Sequence, residues 1–215
     1  MRPGPRRSVS QSDIVDAAFE ILEEKGVAAV SVRGVAAALG LTPTAMYTYF
    51  ASKNALLQAM VEQLLSGIAK HPQSIGDASA PAWRERVVAI ALALRARLAE
   101  HAGSIVLVTS GPLDGPNALA LAETLIEAFV ESGLDAPDAA RAGHAVRAFT
   151  LGQAALEAAR RAAPGEASGS ETLWSDSRHP LVEQTAHLDL DGEGDAEFSA
   201  AIERLIAGVT ASVVE

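Results

Sequence analysis

Both tyrosines of the chain, Tyr47 and Tyr49, fall in one short segment that also carries Thr44 and Thr48, and Lys53 follows closely. Phenol and threonine hydroxyls can donate hydrogen bonds to phosphate oxygens, while a phenol ring packs on sugar or protein. Lys53 adds a positive charge beside the unsatisfied N–H groups of a helix start, which is a second kind of phosphate anchor. Catalytic groups are not gathered in this way. The chain has no cysteine, which removes thiol nucleophiles, disulfide frameworks and cysteine-ligated metals. Its histidines, His71, His101, His144, His179 and His187, never stand at i, i+4. There is no G-x-S-x-G elbow, no G-x-x-x-x-G-K-[ST] phosphate loop and no H-E-x-x-H pair. These residue types point away from an enzyme and toward a phosphate-rich partner.

The elements that hold those residues are short, capped helices. Ile14, Ala17, Ala18, Ile21 and Leu22 form the apolar stripe of a first helix, opened by Ser10 with Asp13 and closed by Gly26. Ser31 caps a second, with Val32, Val35, Ala36 and Leu39 inward, and Gly40 stops it. Thr42 caps a third, Pro43 takes its first position, and Met46 and Phe50 share its buried face. Ser52 caps a fourth helix running to about Lys70. Two capped helices joined only by Gly40, Leu41 and Thr42, behind a first helix that packs across them, have the layout of a helix-turn-helix. The second of the pair would lie in the major groove of duplex DNA with Thr44, Ala45, Tyr47 and Thr48 outward. A helical adaptor that had lost DNA binding would keep the core and lose such exposed residues.

The remainder is also read as helical, over 81–101, 103–110, 117–132, 137–163 and 195–213, so the fold class is all-α. The stretch 164–180 has the composition of a mobile loop in which Trp174 can still dock, and 189–197 is an acidic approach to the last helix. With 215 residues, 49% hydrophobic and 20% charged, the chain suits a folded globular protein, and no apolar run approaches membrane-spanning length. No membrane partner and a cytoplasmic location are expected. The net charge of −10 is uneven, +1 over residues 1–53 and −11 over the rest, which singles out the N-terminal part for DNA. Residues 1–53 are assigned as the DNA-binding domain and 54–215 as a second domain. The tip with Arg2, Arg6 and Arg7 is expected to be disordered in the free protein and to add sequence-tolerant affinity through an adjacent minor groove.

Residues 10–65, above all the run from Val35 to Lys53 (VAAALGLTPTAMYTYFASK) followed by Ala55, Leu56 and Leu57, resemble the tetracycline-repressor (TetR) family. Trp83, the stretch Phe149 to Gly152, Leu156 with Glu157, and Phe198 to Gly208 are similar, more weakly, to its tetracycline-responsive subgroup. The resemblance implies a homodimeric, all-helical regulator, usually a repressor, that leaves a palindromic operator when a small molecule binds its C-terminal domain. It places Thr44, Ala45, Tyr47, Thr48, Tyr49 and Lys53 at DNA-contacting positions, with Ser31 and Arg33 doing the same from the preceding helix. Arg33 is the candidate for base reading, because its planar fork matches guanine O6 and N7.

For the second domain the resemblance implies ligand binding and dimerisation. The Ala- and Gly-rich helix 137–163 invites close approach of another helix, with a four-helix dimer bundle as the expected partner and packing within the subunit as the alternative. Polar candidates for the ligand are His101, Thr109, His144, Gln153 and Glu157, with Phe149 among the apolar neighbours. Where the tetracycline-responsive subgroup holds its drug and magnesium with histidines, this chain has Ala69 and Leu107. No metal and no cofactor are therefore expected, and the effector is expected to be mostly apolar. Release is expected to run through the fourth helix, which links the DNA head to the ligand domain, so that ligand binding changes the spacing of two recognition helices.

Overall fold

A computed structural model describes residues 9–69, 82–101, 103–110, 113–162, 179–185 and 194–211. The arginine-rich tip, the joint at His71 and Pro72, Trp174 with most of its loop, and the acidic residues before 194 lie outside them. The described residues are helical, with no strand among them. Helix α1 spans Gln11–Lys25, α2 Val32–Ala38, α3 Pro43–Tyr49, α4 Lys53–Leu65, α5 Trp83–Glu100, α6 Ser104–Ser110, α7 Pro116–Glu131, α8 Ala136–Ala162, α9 Pro180–Thr185 and α10 Asp195–Ala211.

Local chemistry sets the first four helices. Ser10 and Asp13 form a reciprocal capping box on α1, and the Gly26 N–H donates to the Leu22 carbonyl at its end. The hydroxyls of Ser31, Thr42 and Ser52 accept from the backbone N–H three residues on, satisfying donors that the helices leave unpaired. Two pieces of helix go beyond the sequence expectation, a single 3-10 turn at Val27–Ala29 and α9. In the other direction, α4 stops at Leu65 instead of running to about Lys70, because Ser66 leaves the helix and Gly67 adopts φ +82°. Ile68 is still buried, so its apolar character reports packing and not helical continuation.

The chain divides into two compact units. The first gathers the described residues within Met1–Lys70 and Glu100–Glu123, the second those within His71–Ala99 and Thr124–Glu215. In the first, Ile14, Ala18, Leu22, Val35, Met46, Leu56 and Met60 form a core with almost no solvent exposure. Helix α4 belongs to this unit and packs on α1 and α6. The first unit is closed by contacts between residues far apart in sequence. The Gln63 amide donates to Asp16 at 2.6 Å, and the ring of His101 stacks on Phe19 with centroids 4.3 Å apart. The Glu62 carboxylate accepts from the N–H of Asn117 at 2.6 Å and of Ala118 at 3.3 Å, acting as an external cap for α7. Gly115, which precedes α7, has no side chain with which to cap it, and a Cβ there would fall on the Glu62 carboxylate.

Gly103 lies against Leu22 so closely that an added Cβ would stand 2.7 Å from its branch carbon. Leu22 is fully packed, and overfilling such a site typically costs about 1–3 kcal/mol. Gly103→Ala is therefore expected to lower the thermal unfolding temperature of the first unit, and an unchanged transition in a calorimetric scan would show that Leu22 can move aside.

In the second unit Ile90, Leu94, Leu125, Phe129, Val146, Ile202 and Ile206 make the core. Trp83 sets its ring 5.9 Å from that of Phe129. The small residues of α8 answer two different demands. Gly143 is buried where its missing Cβ would stand 3.2 Å from the Cβ of Leu125, so close packing on α7 within the chain accounts for it. Gly152 is exposed, with open space around its Cβ position among the described residues, and none of these accounts for it.

Candidate functional site

The helix-turn-helix is built from α2 and α3 around Gly40, whose φ of +64° needs a residue without a Cβ. The Leu41 N–H donates to the Ala36 carbonyl at 2.8 Å, so the turn closes on α2 before α3 begins. Helix α3 then divides cleanly by face. Met46 is wholly buried and Phe50, just after it, nearly so, while Thr44, Tyr47 and Thr48 are exposed. Tyr47 is half exposed at 51%, large for an aromatic side chain. The Thr48 hydroxyl donates to the Ala45 carbonyl at 2.6 Å and keeps its lone pairs and methyl outward. Ala45 is half-buried beneath them.

The flanking residues sit where the sequence places them. Arg33 is exposed on the first turn of α2, and the Ser31 hydroxyl caps that helix through the Gly34 N–H at 3.0 Å. Lys53 opens α4, exposed, with its ammonium 3.4 Å from the Val27 carbonyl, an exposed contact that leaves the charge in solvent. Tyr49 differs from Tyr47. Its ring is half-buried, and its hydroxyl donates to the Val9 carbonyl at 3.0 Å, so its one donor is used within the protein. Ser31, Arg33, Thr44, Tyr47, Thr48 and Lys53 are thus carried by three consecutive helix starts or faces of one small unit.

The ligand candidates separate. His101 and Thr109 belong to the first unit, and His144, Phe149, Gln153 and Glu157 to the second. The His101 ring is packed on Phe19, with Nδ1 against the Glu23 carboxylate, so it serves α1. Thr109 is exposed and its hydroxyl donates to the Ile105 carbonyl of its own helix. His144 is exposed on α8, whose buried face runs through Gly143 and Val146. Gln153 is half-buried, and Phe149 is partly exposed with its ring 6.0 Å from that of Phe198.

Glu157 is buried, but its charge is already matched. It accepts from Arg95 Nε at 2.8 Å and lies 3.5 Å from Arg161, while Arg95 Nη1 also donates to Asp195 at 2.7 Å. Three helices, α5, α8 and α10, are joined by this cluster, with the Arg95 guanidinium 5.0 Å above the Phe198 ring. Sequence reasoning missed Arg95. Its signal was a charge within a largely apolar stripe, since Val87, Ile90, Ala91, Leu94 and Leu98 share the buried face that also holds Arg86. Elsewhere on α8, burial lowers the pKa of the Arg147 guanidinium from its ordinary value, and its Nε has no hydrogen-bond partner among the described residues. No group of metal-ligating side chains occurs among the described residues, and no described helix is long and apolar enough to cross a membrane.

Residues 14–60 match the family of bacterial regulatory proteins known as the tetR family, and residues 76–213 match the tetracyclin repressor-like C-terminal domain. An HTH-type transcriptional regulator of Saccharopolyspora erythraea is 28% identical over 95% of this chain and 86% of its own length. The class A tetracycline repressor from transposon 1721 of Escherichia coli is also 28% identical, over 91% of this chain and 88% of its own. Among solved structures, a possible TetR family transcriptional regulator from Streptomyces coelicolor A3(2) superposes with a TM-score of 0.79 at 31% identity, covering 94% of this chain and all of the other.

Proposed function

The chain belongs to the tetR family of bacterial regulatory proteins and is a helix-turn-helix transcriptional regulator, and from that premise we propose that it is a repressor acting as a dimer on an approximately palindromic operator. The observation that carries this is the division of α3, with Met46 locked beneath and Thr44, Tyr47 and Thr48 presented above. Such a helix fits the major groove, where hydroxyls and a phenol meet phosphates and base edges and Arg33 can read a guanine. Two copies related by a two-fold axis would read two half-sites, so the operator mirrors the symmetry of the protein. The outward side of α8, with Phe149, Gly152 and Leu156, and exposed Gly208 on α10 supply small and apolar residues for pairing the subunits. Selection of binding sites from random duplexes tests the proposal, and recovery of no inverted repeat would sink it.

The C-terminal unit is the place for an effector that is mostly apolar. Glu157 is spent on Arg95, and the interior around Phe129, Leu125 and Ile90 offers hydrocarbon. Release follows if effector binding displaces α4, because α4 begins immediately after the recognition helix.

Lys53 is a phosphate anchor in this arrangement. Lys53→Ala is expected to weaken binding evenly across DNA sequences and to reduce the salt dependence by about one phosphate contact. Titrations over a salt series give the slope directly, and an unaltered slope removes Lys53 from the interface.

A further inference from the structure

We propose that Glu62 is a positioning residue for release, fastening the end of α4 to the start of α7 so that α7 is the element that moves α4. This rests on the reading of the chain as an effector-released repressor, and adds to it the element that drives α4 and the residue by which α4 is held.

The two helix ends cap each other. No acidic residue stands in the first turn of α7, and Glu62, near the end of α4, supplies the acceptor from outside. Its carboxylate takes the N–H of Asn117 at 2.6 Å and of Ala118 at 3.3 Å. In return the Asn117 side-chain amide donates to the Glu62 carbonyl at 2.8 Å. That carbonyl is one of the last four of α4, which have no partner inside their own helix, and the Ser66 N–H turns to Gln63 instead. One turn earlier on the same face, the Gln58 amide donates to Asp114 at 3.0 Å. Gly115 is buried, and a Cβ there would take the space that the Glu62 carboxylate fills.

What lies on either side of this joint gives it a use. Gln63, next to Glu62, donates its amide to Asp16 of α1 at 2.6 Å, so a movement of α4 at this point is passed to the DNA-binding head. Helix α7 is a single run of 16 residues, roughly 24 Å long, and its second half supplies Leu125, Ala128 and Phe129 to the core of the second unit. An effector that shifts Leu125 or Phe129 therefore shifts the first turn of the same helix. There the crossed caps leave α4 two courses, to follow α7 or to give up the hydrogen bonds that join them.

Coupling between two sites is reciprocal, so it can be read from the DNA side with no effector present. Hydrogen exchange is followed in the full-length chain, free and saturated with the duplex recovered by operator selection, for the wild type, Glu62→Ala, Gly115→Ala and the two combined. Glu62→Ala removes the carboxylate, whereas Gly115→Ala displaces it with Glu62 intact. In the wild type, duplex binding should slow exchange over 53–65 and over 117–131 by at least about threefold, the order of one hydrogen bond. In each single variant the slowing should persist over 53–65 and vanish over 124–131, and the combination should do no more than either alone. A role confined to stability would speed exchange in the free chain and keep the difference that the duplex makes. Slowing over 124–131 that survives in either variant, its absence from the wild type, or a folded variant that binds no duplex overturns the proposal. A wild type for which selection recovers no duplex overturns the repressor reading itself, a result distinct from the others.

Discussion

Glu157→Ala is expected to destabilise the second unit by about 3 kcal/mol, because it strips the buried partner from a buried arginine. The Arg95 side chain is 7% exposed and that of Glu157 only 2%. Removing one member of a buried pair leaves the other charge facing hydrocarbon, and the usual loss is roughly 3–5 kcal/mol. The lower end applies here because Asp195, whose side chain is 82% exposed, still accepts from Arg95 Nη1 at 2.7 Å. The converse variant separates burial from pairing. Replacing both partners, with Arg95→Met and Glu157→Leu, removes two desolvation penalties together and should restore most of the lost stability, since apolar isosteres of buried ion pairs are often neutral or better. Chemical denaturation of both variants measures this. If the double variant is as unstable as Glu157→Ala, the cluster holds the three helices through geometry that hydrocarbon cannot replace.

Adjacent residues on α3 should give opposite phenotypes. Met46 is fully buried, and Met46→Ala removes three heavy atoms from a close-packed core, an expected loss of about 2–5 kcal/mol. The first unit draws its core from short helices, so a loss of that size should lower its unfolding temperature strongly and DNA binding with it. Tyr47, one position on, is half exposed, and Tyr47→Ala should leave unfolding within about 0.5 kcal/mol of the wild type. Its effect should fall on operator affinity, by about 1–3 kcal/mol if the phenol meets the DNA as proposed. Thermal unfolding and DNA titration of the two variants form a crossed test. Normal DNA affinity in Tyr47→Ala would remove that face of α3 from the interface.

The helix-turn-helix was legible in the sequence because the information that specifies it is local. Ser10 with Asp13, and Ser31, Thr42 and Ser52, each satisfy backbone donors three residues away, and Gly40 permits the one left-handed turn between α2 and α3. Apolar spacing in α1 and α3 picks out the buried faces on which Ile14 and Met46 lie. The outward set of Thr44, Tyr47 and Thr48 then follows by exclusion. Local rules were also enough to name α5, α7, α8 and α10 to within a few residues, since each is longer than any error at its ends.

What the sequence could not decide was which distant groups meet. Nothing near Tyr49 in sequence announces that its hydroxyl belongs to Val9, 40 residues earlier, and nothing near Glu62 announces that it caps a helix 55 residues later. His101 looks the same whether it faces an effector or stacks on Phe19, and Glu157 looks like an available carboxylate until Arg95 arrives from 62 residues away. The division is physical. Caps, turns and helical periodicity are fixed by atoms within a turn or two of one another, whereas the partner of a side chain depends on which helix faces pack, a choice made by burial of the whole core.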